Sequence, residues 1–171
     1  YKAILTPYNK RYDFFCFSAK HCQLAELPLL QIGLGVWEML NRNFTCCFTG
    51  HRQIAPEHAQ DLFTVVEGAI RQLIAQGYFI FMAGGAMGFD TLAAETVLKL
   101  KSYFPHLRLI IVAPCADQSD GWPDADKRRY ERLRQAADDY ICLEAAYTPS
   151  CMRKRNRYLV EMSSACLAYC L

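Results

Sequence analysis

After the first 42 residues, short apolar runs alternate with segments whose apolar residues recur at helical spacing. The apolar run over 44–48 ends at Gly50 and is typical of a buried strand. The following segment has Pro56 near its start, repeats apolar residues from Leu62 to Ile74, and stops at Gly77. This pattern predicts a strand followed by a helix at the start of a regular domain.

The same alternation continues along the rest of the chain. It predicts strands over 78–82, 107–113, 140–143 and 165–171, and helices over 91–103, 124–137 and 152–162. Strands that alternate with helices pair in parallel through right-handed crossovers. We therefore expect an α/β fold with a Rossmann-like, open, doubly wound parallel sheet of about five strands. In such sheets ligands bind at the carboxyl ends of the strands.

The first 42 residues lack this regularity, and Gly33 and Gly35 interrupt their longest apolar stretch. We expect a poorly defined N-terminal appendage over 1–42 and a Rossmann-like domain over 43–171. The chain starts at Tyr1 and stops inside its last predicted strand, which we interpret as a fragment without the loop that follows this strand.

Composition excludes several classes of protein. A net charge of +2 gives no general argument for binding to nucleic acid or a membrane, and the apolar stretch over 24–40 is too short and too polar to span a bilayer. The nine cysteines contain no Cys-x-x-Cys spacing, and several lie in apolar runs. We expect reduced core cysteines in a cytoplasmic protein. The four histidines share no ligand spacing, so no metal is predicted.

Three glycines separate a predicted strand from a predicted helix in the stretch Ala83-Gly84-Gly85-Ala86-Met87-Gly88-Phe89-Asp90. Glycine lets the backbone approach a ligand closely, and the free N–H groups of the next helix favour an anion. This favours a phosphate-binding loop, although a tight turn without a ligand is the alternative. Asp90 is expected to cap the helix, and its alternative role is to accept a hydrogen bond from a ribose hydroxyl.

A second group of polar residues, Thr49-Gly50-His51-Arg52, follows the first strand. Arg52 is suited to bidentate contacts with a phosphate, and His51 can donate one hydrogen bond. A surface histidine without a ligand is an equally good interpretation of His51. No carboxylate stands next to His51 in the sequence to orient it as a general base, and no catalytic residue is predicted.

Two basic runs lie in the predicted helices, Lys127-Arg128-Arg129 and Arg153-Lys154-Arg155 with Arg157. We favour solvated helix faces for both, with phosphate or nucleic-acid binding as the alternative. Trp122 either stacks on a base or closes the edge of the core, and we favour the structural role.

Taken together, these motifs resemble the SLOG superfamily, in particular its YpsA-like branch of bacteria and their prophages. The resemblance covers residues 44–171 approximately. It rests on Phe48-Thr49-Gly50-His51-Arg52, Gly84 to Thr91, Pro114 with Gln118, Trp122-Pro123, Arg129-Tyr130, and Arg155-Asn156 before Tyr158-Leu159-Val160.

The resemblance implies a Rossmann-like domain that binds nucleotides or nucleotide-derived signals. By position it assigns ligand contacts to Thr49, Gly50, Arg52, Gly84, Gly85 and Gly88, and the pocket rim to Gln118, Arg129 and Asn156. Members of the branch continue past the last strand into a Gly-Gly-Thr loop that completes the pocket. This chain ends before that loop, so the resemblance implies an incomplete pocket here.

Three functions stay open at this point. A non-catalytic binding or sensing module is favoured, with a nucleotide-derived small molecule as its partner and no cofactor. The second is a nucleotide hydrolase similar to the LOG phosphoribohydrolases, whose Pro-Gly-Gly-x-Gly-Thr stretch is not found here. The third is a single-stranded DNA binder similar to the DNA-processing protein DprA, which would recruit Arg153, Arg155 and Arg157. The sequence does not indicate an oligomeric state.

Overall fold

A computed structural model describes residues 2–4, 13–18, 41–54 and 56–170, with side chains over 41–54 and 61–169. Seven strands and four helices lie in these ranges. The strands are β1 (Lys2–Ile4), β2 (Asp13–Ser18), β3 (Thr45–Gly50), β4 (Ile80–Ala83), β5 (Arg108–Ala113), β6 (Asp139–Cys142) and β7 (Ala165–Cys170). The helices are α1 (Pro56–Ala75), α2 (Phe89–Lys101), α3 (Asp124–Ala136) and α4 (Cys151–Glu161).

The strands form one sheet in the order β1-β2-β7-β3-β4-β5-β6. The five strands from β7 to β6 all pair in parallel, which confirms the predicted α/β fold with a parallel sheet of about five strands. The two remaining strands, β1 and β2, pair antiparallel beyond β7. They belong to the segment for which the sequence predicted no regular structure. Residues 1, 5–12 and 19–40 of that segment lie outside the described residues.

Helices cover both faces of the parallel part of the sheet, because the chain returns from β6 to a position beside β3. Successive residues of a strand point to opposite faces. Phe48 and Phe81 pack in the larger core cluster with residues of α1 and α2, whereas Cys47 and Met82 pack in a smaller cluster that Leu159 of α4 completes. Helix α4 therefore covers the face opposite to α1 and α2, and the sheet is doubly wound as predicted.

The start of α2 corrects one prediction. The helix begins at Phe89 with Gly88 as its N-cap at φ 81°, and no side chain caps it. Asp90 lies inside the first turn, and its carboxylate accepts a hydrogen bond from Arg155. The predicted capping role of Asp90 is wrong because Gly88, which tolerates positive φ, occupies the N-cap position, and Asp90 lies two residues beyond it, inside the first turn.

None of the helices in the part of the chain that the structure describes is both long and apolar enough to cross a membrane. The cysteines within the described side chains are free thiols, and Cys46, Cys47, Cys115 and Cys151 among them are buried.

Candidate functional site

An open pocket of about 200 Å³ lies at the carboxyl end of β3. Three parts of the chain form it: the end of β3 with its loop, the loop between β4 and α2, and the first half of α4. Its lining residues are Phe48, Thr49, Gly50, Arg52, Ala86, Asp90, Met152, Arg155 and Asn156. The pocket therefore lies at the edge of the sheet where the sequence predicted a site.

The structure brings together half of the residues that the sequence assigned to the site. The predicted residues that line the pocket are Thr49, Gly50, Arg52, Ala86, Asp90 and Asn156. The predicted residues outside its lining are His51, Gly84, Gly85, Gly88, Gln118 and Arg129. Each residue of the second group has another contact within the protein, and these contacts explain its residue type.

Two glycines are required by neighbouring side chains. A Cβ on Gly84 would lie 1.3 Å from Nη1 of Arg155 and 2.7 Å from Oδ2 of Asp90. A Cβ on Gly50 would lie 2.7 Å from the ring of Phe89. Real Cβ atoms do not come this close to other heavy atoms. Glycine at these two positions therefore makes room for the protein's own side chains, whatever ligand the pocket holds.

The main chain of the loop after β3 also passes close to the glycine loop between β4 and α2. A Cβ on Gly88 would lie 2.4 Å from the carbonyl oxygen of Arg52, and Gly88 has a φ of 81°. Beside it, the N–H of Phe89 donates a hydrogen bond of 3.0 Å to the carbonyl of His51. The first N–H of α2 is therefore paired within the protein. This corrects the expectation that the N–H groups at this helix start are all free for a phosphate.

A buried ion pair lies beside Gly84. Nη1 of Arg155 donates to Oδ2 of Asp90 at 3.2 Å, and the two side chains are 9% and 7% exposed. Burial raises the pKa of Asp90, while the charge of Arg155 and backbone hydrogen bonds from Ala86 and Gly84 act in the opposite direction. The Nε atom of Arg155 is buried and has no hydrogen-bond partner among the described residues.

Arg52 supplies a positive charge at the mouth of the pocket. Its side chain is exposed, and its Nη2 lies 3.9 Å from Sδ of Met152 on α4. Within the described side chains it forms no ion pair. The charges of Asp90 and Arg155 cancel each other. The pocket lining therefore carries one net positive charge, which is that of Arg52. An electropositive pocket of this kind is suited to an anion.

His51 lies next to the pocket without lining it. Its ring meets the ring of Tyr169 edge-on at a centroid distance of 6.1 Å, and the residue is exposed. This contact orients the imidazole on the protein surface. The structure therefore places His51 on the surface beside the pocket, and its contact with a ligand stays a prediction.

Gln118 supports the glycine loop from the side of the core. It is buried, and its Nε2 donates to the carbonyl of Gly84 at 3.4 Å. A Cβ on Gly85, whose φ is 66°, would lie 2.8 Å from Cε2 of Tyr130. Burial raises the pKa of Tyr130, and Trp122 packs edge-on against its ring at 5.6 Å. Gln118 therefore supports the glycine loop and lies outside the lining of the pocket. Trp122 packs against the core, in the structural role that the sequence favoured.

Arg129 is turned away from the predicted rim. Its Nε donates to Oε1 of Glu95 at 2.6 Å, and its Nη2 also bonds that carboxylate, so the side chain joins α3 to α2. Glu95 raises the pKa of Arg129. The structure places Arg129 outside the lining of the pocket, because Glu95 on the neighbouring helix binds its guanidinium.

Three lining residues, Phe48, Met152 and Arg155, were not among the predicted site residues. The buried residues of α4 are Cys151, Arg155 and Leu159, which recur every four positions. A charged residue on the buried stripe of a helix needs a partner in the interior. That spacing was the signal in the sequence. This signal was missed because Arg155 lies within a basic run, which was interpreted as a solvated helix face. The other basic residues of the run are indeed exposed.

No group of three or more histidine, cysteine, aspartate or glutamate side chains is placed to hold a metal ion in the described part of the molecule. The polar groups that the pocket lining offers to a small ligand are the hydroxyl of Thr49, the guanidinium of Arg52 and the amide of Asn156.

The fold and the pocket define a Rossmann-like α/β domain with a polar pocket at its strand ends. The family model YpsA, described as the YspA SLOG family, matches residues 47–170. The chain belongs to this family, which confirms the resemblance seen in its motifs.

Two curated relatives are similar to this chain. A UPF0398 protein of Halalkalibacterium halodurans is 35% identical over 103 residues, which cover 59% of this chain and 54% of that protein. The SPbeta prophage-derived protein YoqJ of Bacillus subtilis is 31% identical over 119 residues, which cover 63% of this chain and 68% of YoqJ. The chain therefore spans about half the length of the first relative.

Among solved structures, the chain is similar to DNA processing protein A from Helicobacter pylori, a protein described in a single-stranded DNA binding mode. The TM-score is 0.46 at 17% sequence identity, and the match covers 95% of this chain and 65% of that one.

Proposed function

We propose that this protein binds a nucleotide or a nucleotide-derived phosphate ligand in the pocket at the end of β3, without catalysing a reaction. One observation carries the proposal: Arg52 stands at the pocket with no carboxylate partner among the described residues, while Asp90 is neutralised by Arg155. A guanidinium with free donors is a strong binder of phosphate.

The size and lining of the pocket support a phosphate-bearing part of a ligand. Its volume of about 200 Å³ is below the roughly 300–1,000 Å³ that is usual for pockets enclosing a whole small molecule. Thr49 and Asn156 add a hydroxyl and an amide to its lining. We infer that a phosphate and its adjoining sugar occupy the described pocket, while the rest of the ligand extends over its open side.

The state of the candidate acid and base groups supports binding rather than hydrolysis. Asp90 is held by Arg155, and His51 packs edge-on against Tyr169 and forms no ion pair with a carboxylate of the described residues. A general base must reach its proton and be held in the correct orientation. Prolonged incubation with a nucleoside monophosphate should therefore release no free base, and release of the base would support the hydrolase instead.

A thermal-shift panel of ADP-ribose, ADP, AMP and adenosine tests the proposal. At a concentration of 100 Kd a ligand adds about 2.7 kcal/mol, which raises the melting temperature of a domain of this size by about 5–10 °C. We expect the rise with the phosphorylated compounds and not with adenosine. Arg52→Met should remove it, and the control Arg108→Met at the other end of the sheet should keep it. An unchanged melting temperature across the panel rejects the proposal.

A second candidate function is binding of single-stranded nucleic acid along α4. Arg153 and Arg157 are exposed one turn apart, and no ion pair involves them in the described part of the chain, while Asn156 between them lines the pocket. Arg155, which the sequence analysis also assigned to this surface, is excluded because it is buried.

An oligonucleotide titration at several salt concentrations tests this candidate. If the two arginines contact phosphates, affinity should fall steeply with salt, with a logarithmic slope of about −0.7 for each contact. Arg153→Glu with Arg157→Glu should weaken binding and flatten the slope, whereas Arg134→Glu on α3 should change little. An affinity that does not depend on salt concentration, or the absence of binding, rejects this candidate.

A further inference from the structure

We infer that Arg155 is a positioning residue that makes the pocket acceptable to an anion: its guanidinium fills the space left by the missing side chain of Gly84 and balances the charge of Asp90. This inference rests on the proposed anion binding. Arg155 acts on the ligand indirectly, because it neutralises the charge of Asp90.

The geometry joins the three residues in one arrangement. Gly84 follows β4 directly, Asp90 lies in the first turn of α2, and Arg155 reaches them from α4. A Cβ on Gly84 would lie 1.3 Å from Nη1 and 2.4 Å from Cζ of Arg155. Any side chain at position 84 would therefore expel the guanidinium from its place beside the carboxylate. Glycine at this strand end is a condition for the ion pair.

The charges show why the pair matters for a ligand. Asp90 lines the pocket, so without a counter-charge its carboxylate would face an incoming phosphate. Like charges in contact are strongly repulsive in a partly buried site, where water screens them poorly. With Arg155 in place the pair is neutral, and the charge of Arg52 determines the sign of the pocket.

The pair is poorly arranged for stability alone. Buried ion pairs are often no more stable than apolar residues of similar volume, because both charges lose their hydration. The Nε of Arg155 is left without a hydrogen-bond partner among the described residues, although buried polar atoms are usually satisfied. A charge-balancing role explains why the protein keeps such a pair at the lining of its pocket.

Titration calorimetry with inorganic pyrophosphate tests the inference on four proteins: the wild type, Arg155→Met, Asp90→Asn, and the double variant. We expect Arg155→Met to lose affinity by at least about tenfold, since one like-charge contact costs more than the roughly 1.4 kcal/mol that tenfold represents. The double variant should regain most of the loss, because neither charge remains. Asp90→Asn alone should bind pyrophosphate more tightly than the wild type.

The matched control is the exposed pair of Arg108 and Asp139 at the amino end of β5, whose nitrogen and oxygen atoms are 2.6 Å apart. Arg108→Met, Asp139→Asn and their combination should leave pyrophosphate binding unchanged. Asp90→Asn also keeps the test informative if Arg155→Met fails to fold. A purely structural role for Arg155 predicts that the double variant binds pyrophosphate no better than Arg155→Met.

Each result has one meaning. No pyrophosphate binding by the wild type overturns the proposed anion site, and the inference with it. Binding by the wild type that Asp90→Asn leaves unchanged or weakens overturns the inference alone, as does a double variant that binds no better than Arg155→Met.

The link to Gly84 has its own test, which needs no ligand. Gly84→Ala should lower the melting temperature strongly in the wild type and only slightly in the Asp90→Ala/Arg155→Ala background, where neither the guanidinium nor a side-chain oxygen at position 90 opposes the new Cβ. An equal loss in both backgrounds would show that Gly84 is required for another reason.

Discussion

Two arginine–carboxylate pairs link helices of this protein in different surroundings. Arg155 and Asp90 join α4 to α2 at the carboxyl end of the sheet, with side chains 9% and 7% exposed. Arg129 and Glu95 join α3 to α2 on the outer surface, with side chains 41% and 36% exposed. The sequence assigned a pocket role to Arg129 and none to Arg155. Burial beside the strand ends, rather than residue type, separates the pair at the pocket from the pair on the surface.

The glycines show the same contrast. Gly84, Gly85 and Gly88 would each place a Cβ within 3.0 Å of another part of the protein, whereas a Cβ on Gly68 in α1 would meet nothing within 4 Å. The crowded glycines let β3, α2 and α4 approach one another, and the uncrowded one is an ordinary surface position. The following predictions test these contrasts, beginning with the largest expected effect.

Gly84→Ala should destabilise the protein by at least about 3–5 kcal/mol, since it expels the guanidinium and leaves a buried carboxylate unpaired. Its matched control, Gly68→Ala, should stabilise by about 0.5–1 kcal/mol, because alanine is the better helix former. Urea unfolding measures both values. Similar values for the two variants would remove the contrast between crowded and uncrowded glycines.

Arg155→Met should cost about 3–5 kcal/mol of unfolding free energy, because it leaves Asp90 buried without a partner. Arg129→Met should cost less than about 1 kcal/mol, since water screens the exposed pair with Glu95. Adding Asp90→Asn to Arg155→Met should recover most of the loss. If both single variants lose the same amount, burial does not distinguish the two pairs.

The pH dependence of stability should differ in sign between the contributions of Asp90 and Asp138. Burial raises the pKa of Asp90, so the contribution of this group to stability is fully present below the ordinary pKa of aspartate and declines as pH rises through the raised pKa. For Asp138, burial raises the pKa, but hydrogen bonds from Lys101 and from the N–H of Leu109 outweigh it, and the net pKa is lowered. Its contribution is present above the ordinary pKa and is lost as pH falls through the lowered one.

The measurement is the unfolding free energy of Asp90→Asn and Asp138→Asn relative to the wild type between about pH 3 and 7, the range around the ordinary pKa of aspartate. As pH rises, Asp90→Asn should gain relative to the wild type and Asp138→Asn should lose. The effect at Asp138 should stay below about 1 kcal/mol, because its pair with Lys101 is partly exposed. Trends of the same sign would contradict the assigned surroundings.

Arg52→Met should have the smallest effect on stability, within about 0.5 kcal/mol, because the side chain is exposed and its described contact is a weak one to Met152. It should nevertheless remove the nucleotide-dependent rise in melting temperature. Calorimetry and a thermal shift on the same protein separate the two effects. A strong loss of stability would mean that Arg52 is a structural residue.

The sequence determined the elements of the regular domain, because the spacing of apolar residues is a local property. The strand predicted over 107–113 is observed as Arg108–Ala113, and the helix predicted over 152–162 is observed as Cys151–Glu161. Alternation of strands and helices was enough to predict a parallel sheet and the edge where the pocket lies. The motifs were enough to indicate the family, which the match over residues 47–170 confirms.

Only the tertiary structure decided which polar residues meet at that edge. Asp90 and Arg155 are 65 positions apart, and they meet because β7 lies beside β3 and brings α4 over the opposite face of the sheet. In the same way, packing brings Glu95 within hydrogen-bond distance of Arg129, and the carbonyl of Gly84 within hydrogen-bond distance of Gln118. The partner of a charged side chain depends on distances between helices that are remote in the sequence, and no local spacing contains that information.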